Sequence, residues 1–124
     1  MKAAVISGAI HGFLAVALGA FGAHALEDIL SAYGEGIWNT AVQYQMFHAT
    51  GLVGVGLLAG IIGYKKPLKI AMWCMNLGIV FFSGSLFTLA LTEIGPLGAI
   101  TPIGGVLFLT AWVAVIMAVK NHKA

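Results

Sequence analysis

Charge is scarce in this sequence. Six basic and four acidic residues occur among 124, or 8% charged, where a soluble domain carries roughly 25%. So few polar groups cannot cover a folded surface in water, and lipid must be the outer solvent. A single cysteine, Cys74, excludes an intrachain disulfide and a multi-cysteine metal knot. The net charge of +2 is too small for a nucleic-acid surface. No nucleophile elbow, phosphate loop, zinc helix motif or carboxylate pair is found, so neither an enzyme nor a cofactor or metal is expected.

Apolar residues are abundant instead: 60% of the chain, with a mean hydropathy of +1.01. Four long apolar stretches run over residues 3–26, 41–64, 68–91 and 102–119, with no charged residue in any interior. A helix needs about 20 apolar residues to cross a hydrocarbon core of roughly 30 Å. Membrane β-strands would alternate polar and apolar residues, and these runs do not. The expectation is an all-α, four-helix transmembrane bundle, built as one domain over residues 1–124.

Charge placement orients it. All basic residues are lysines, and Lys2, Lys65, Lys66, Lys69, Lys120 and Lys123 fall at the two ends and in the second connection. The acids Glu27, Asp28, Glu35 and Glu93 fall in the other two connections. Lysine-rich loops stay cytoplasmic, which predicts N-terminus and C-terminus both inside a cell membrane. The first stretch has some likeness to a secretory signal ending at Ala23-His24-Ala25. It is long for a signal core and broken by His11 and glycines, so a retained helix is expected.

The connections carry local signals. Pro67 suits the first turn of the third helix, and Thr101-Pro102 reads as a cap followed by proline at the first helical position. Residues 92–100 are then a loop or partly re-entrant, unless the helix starts near Leu97 and kinks at Pro102. In the long connection 27–40, Glu27-Asp28 are read as opening a short interfacial helix, with Gly34 and Gly36 ending it.

Seventeen glycines give the bundle its packing faces. Gly8, Gly12, Gly19 and Gly22 share one face of the first helix, and Gly56 and Gly60 one face of the second. Lipid offers no hydrophobic drive between helices, so close small-residue contact supplies it. Contact inside the protomer is the first reading of these stripes, and a homo-oligomer is the alternative.

Polar side chains at membrane depth are costly unless paired, so they point to function. A candidate cluster gathers in the outer half: His24, Gln45, His48, Ser83, Ser85 and Thr101. It reads either as interhelical hydrogen bonding or as a polar cavity open to the outside. Two haem-clamping histidines would need equal height, whereas His11 and His48 differ by about 9 Å and His24 and His48 by about 10 Å. His24, Glu27 and Asp28 have cation-binding spacing, and Met72, Cys74 and Met75 are soft donors. A solvated helix end and core packing are the simpler readings of these sets.

Four ordered segments carry a resemblance over essentially the whole chain: Gly19 to His24, Ala41 to Ala49, Phe82 to Leu86 and Thr101 to Gly105. In these the sequence resembles an uncharacterised family of small bacterial multi-pass membrane proteins, a domain of unknown function. The resemblance implies about four helices and a plasma-membrane location, and it brings no established activity. Three functions are in order of expectation: a non-enzymatic structural or accessory role among membrane lipids, a small transporter or channel, and a lipid- or cofactor-binding protein.

Overall fold

The computed structural model describes residues 1–123. It has five α-helices: α1 (Lys2–His24), α2 (Ala32–Ile62), α3 (Lys66–Gly78), α4 (Gly84–Thr92) and α5 (Thr101–Lys120). A π-helical turn, Ile79–Ser83, joins α3 to α4 without a break, and a 3-10 turn, Gly95–Ala99, leads into α5. The described residues form no strand. Four helices are long and apolar enough to cross a membrane: Lys2–His24, Ala32–Ile62, Lys66–Thr92 and Gly95–Lys120. The chain is therefore an all-α, multi-pass architecture.

Neighbouring crossings run antiparallel. α1 packs along α2, α5 packs along α3, and α2 rests against α3, the π turn and α4. α2 and α5 touch over only a short stretch. The main core joins Leu52, Val55, Leu68, Met75, Phe108 and Ala111 in the half nearest the lysines. A smaller one joins Leu26, Trp38, Val42 and Ala90 at the other end. This topology gathers all six lysines at one end of the bundle and the four acids at the other.

Three local expectations change. α2 begins at Ala32, well before the apolar stretch at 41, because the Ser31 hydroxyl caps it by accepting from Gly34 N at 3.0 Å. Its 31 residues span about 46 Å, more than the hydrocarbon core needs. Residues 25–29 form turns rather than an interfacial helix, with Leu26 buried against Trp38. Gly34 and Gly36 lie inside α2. Gly34 ends nothing, and a Cβ there would sit 2.9 Å from the Ala90 carbonyl oxygen, so it allows α2 to approach α4. Thr101 is the first residue of α5, not its cap. Pro102 has no N–H, and Ile103 N already bonds Ile100 O at 3.1 Å, so the threonine hydroxyl is not needed there.

Glycine contacts set the closest helix approaches. A Cβ on Gly8 would lie 2.7 Å from Ala49 O, and one on Gly19 3.3 Å from Val42. Gly12 faces Ala49 at 3.9 Å, and a Cβ on Gly22 would enter the Trp38 ring. Gly56 abuts Val5 and lies 3.1 Å from Met1 O by the same measure. Gly60 differs, since among the described residues nothing stands within 4 Å of a Cβ there. Its spacing matches Gly56, but α1 begins at Lys2 and does not extend to meet it. Gly8→Ala should thus cost about 1–3 kcal/mol by overpacking, while Gly60→Ala should be neutral or stabilising by up to ~1 kcal/mol. Unfolding in mixed micelles measures both.

Candidate functional site

His48 lies near the middle of α2 and is buried, with 3% of its surface exposed. Its Nδ1 stands 2.8 Å from Tyr44 O, which can only accept, so Nδ1 carries the proton. Trp112 Nε1, which can only donate, gives its hydrogen to Nε2 at 3.1 Å. Both ring nitrogens are committed, in one neutral tautomer. The ring also stacks on Phe108, with centroids 3.5 Å apart and planes 7° from parallel.

The other outer-half polar residues do not meet His48 in one chamber. Ser83 donates to Ala41 O of α2 at 2.8 Å. Ser85 donates to Phe82 O at 2.9 Å, so Thr101 of α5 donates to Ser85 Oγ at 2.7 Å. Two residues apart on a helical run, the serines face different neighbours. His24 is exposed at the end of α1. Gln45 is buried at 4% exposure, and its Oε1 has no hydrogen-bond partner. The structure thus divides the six residues into separate interhelical ties, one unpaired amide and one exposed imidazole.

A second polar group escaped the sequence reading. Asn76 Nδ2 of α3 donates to Ser7 Oγ at 3.2 Å and to Met72 O at 3.1 Å. That leaves Asn76 Oδ1 to accept from His11 Nε2 at 3.1 Å. An amide inside an otherwise apolar stretch was the available signal. His11, His48 and His24 therefore have three unrelated settings, and no pair brackets a common centre. Met72 and Met75 belong to the core, with Cys74 packed against it. Among the described residues, no three of His, Cys, Asp and Glu stand together as a metal site.

The space beside His48 is aromatic rather than polar. A cavity of about 480 Å³ lies between α2 and α5, walled by Tyr44, Phe47, His48, Phe82, Phe108 and Trp112. Gly105 adds room on the α5 side. Tyr44 and Phe82 lie 4.4 Å apart by centroid, and Phe47 and Trp112 5.4 Å. A second hollow of about 280 Å³ continues along the same groove, sharing Phe47 and Trp112 and reaching Leu58 and Val115. Volumes of a few hundred Å³ suit small apolar ligands. The walls offer mostly rings and alkyl groups.

Four apolar crossings tied by buried polar pairs define a multi-pass membrane protein. Residues 18–105 match the family described as "Protein of unknown function (DUF423)". The chain is similar to a UPF0382 membrane protein of Staphylococcus epidermidis (strain ATCC 12228 / FDA PCI 1200), 50% identical over 118 residues and 95% of each chain. It is also similar to UPF0382 membrane protein YwdK of Bacillus subtilis (strain 168), 48% identical over 122 residues, covering 98% of this chain and 99% of that one. It belongs to this family of uncharacterised membrane proteins. No solved structure matches it.

The His48 geometry makes a direct prediction. Nitrogen-15 spectra of the imidazole at neutral pH should show Nδ1 protonated and Nε2 bare. Trp112→Phe, which leaves Nε2 buried and unpaired, should cost about 1–3 kcal/mol of stability in micelle unfolding.

Proposed function

We propose that this chain is a non-enzymatic structural or accessory protein of the cell membrane, with both ends in the cytoplasm. The observation that carries the reading is the full commitment of His48, held between the Tyr44 carbonyl and the Trp112 indole N–H. A proton carrier must exchange its proton, and adding one at Nε2 would set donor against donor with Trp112. Ser83, Ser85 and Thr101 are likewise spent on ties between helices. The polar residues act as fasteners rather than as a conduction path.

The sidedness follows from charge. Six lysines at one end, facing four acids at the other, favour that end inside. A cysteine at position 123 should react with membrane-impermeant maleimide only after cells are opened, and one at position 93 in intact cells, both in a Cys74→Ser background. Reversed labelling would refute the orientation.

The transport reading is tested separately. Proteoliposomes holding the chain should show no proton-coupled flux above empty vesicles, and His48→Gln should change only stability. A flux that His48→Gln abolishes would overturn the accessory reading. The aromatic cavity beside His48 supports a second reading, that the protein holds an apolar ligand there. In that case the purified protein should retain an organic-extractable molecule, and a colourless sample would argue against a haem.

A further inference from the structure

We propose that the lysine-bearing end of the bundle is a binding site for an anionic phospholipid, one of whose acyl chains lies in the groove between α2 and α5. Charge complementarity selects this occupant. Lys65 and Lys66 follow the end of α2 and begin α3, and Lys120 ends α5. Lys69 stands in the first turn of α3, its Nζ 5.2 Å from the Tyr64 ring centre. Every carboxylate side chain of the sequence is at the opposite end, so none competes with a phosphate here.

The groove begins just above these lysines. Its inner hollow is lined by Gly51, Gly54, Leu58, Trp112 and Val115 and holds about 280 Å³. Val115 stands five residues before Lys120, about 7.5 Å along the helix, and Leu58 four before Ile62, the last residue of α2, about 6 Å. Trp112 stands about 12 Å from Lys120 on the same scale. One leaflet of a hydrocarbon core is about 15 Å deep. An acyl chain from a phosphate at the lysines therefore runs up the hollow past Leu58 and Val115 as far as Trp112 without leaving its leaflet. A headgroup held by charge and a tail held by shape explain why groove and lysines adjoin. A helix of a second copy would need no such charge.

Gly54 gives the decisive variant. A Cβ there meets nothing within 4 Å, and Gly54 lines the hollow, so a side chain at this position takes up space in it. Gly60 is equally open and does not line the hollow, which makes it the control. The chain is placed in mixed nanodiscs of phosphatidylglycerol and phosphatidylcholine and released for native mass spectrometry. Phosphatidylglycerol should stay bound in clear excess, since each lysine near a membrane surface favours anionic lipid about fivefold. The triple variant Lys65→Gln, Lys66→Gln, Lys120→Gln should cut that excess sharply. Gly54→Leu should lose the retained lipid and Gly60→Leu should keep it. If Gly54→Leu does not fold, Gly54→Ala should still weaken retention.

Equal retention of both lipids by the unaltered chain would overturn the proposal. So would full retention by the folded Gly54 variant, which would reduce the effect to general surface attraction. A dimer that Gly54→Leu dissociates, with no dependence on phosphatidylglycerol, would assign the groove to a second copy instead. None of these outcomes bears on His48 or on flux, so the accessory reading stands or falls apart from them.

Discussion

The indole N–H of Trp112 must find an acceptor inside a hydrocarbon layer, and His48 Nε2 is that acceptor. Water is absent at this depth, and an unpaired polar group there is costly. The bond lies where α2 and α5 meet, while their backbones touch over only a short stretch. Stacking of His48 on Phe108 reinforces it. Because the histidine is anchored to its own helix through Tyr44 O, the tie reaches the α2 backbone.

Elsewhere the same constraint is met in other ways. Trp38 donates to Leu18 O at 3.0 Å, joining α2 to α1 where Gly22 leaves space for the ring. Ser83 reaches Ala41 O, and Asn76 gathers Ser7 and His11. Such ties contribute about 0.6–2 kcal/mol each in membranes, so glycine-mediated close packing supplies the remaining adhesion. Gly104 is the sharpest case against a neighbouring backbone, since a Cβ there would strike Phe82 in the π turn. The termini of α4 and α2 are linked outside the apolar layer, where Ser31 Oγ donates to Glu93 Oε1 at 2.7 Å.

Most of the architecture was legible in the sequence, because apolar length alone marks a crossing and needs no tertiary information. What escaped was local. The early start of α2 depends on one hydroxyl, that of Ser31, capping a stretch whose glycines resemble breakers. Thr101 has cap chemistry, yet Ile100 ahead of it supplies the carbonyl and frees the hydroxyl for Ser85. The candidate site was legible as a set of residues and not as an arrangement. Ser83 and Ser85 are close in sequence but face α2 and α5, a division that helical geometry imposes on any i, i+2 pair. Asn76 was hidden because its partners, Ser7 and His11, lie more than sixty residues away.

The π turn at Ile79–Ser83 has a consequence for how such a chain can change over time. A π turn holds one residue more than the α-helical turn it replaces, so the surplus residue is absorbed within the turn and α4 keeps nearly the angular phase of an unbroken helix. Losing a single residue there would relax the backbone to a regular helix and leave that phase in place. Losing one from the regular turns of α3 would instead rotate everything beyond it by about 100°. Ser83 would then leave Ala41, Ser85 would leave Thr101, and the Phe82 backbone would turn away from Gly104. Chain length can thus change by one residue in this turn with less disturbance than in the helix on either side of it.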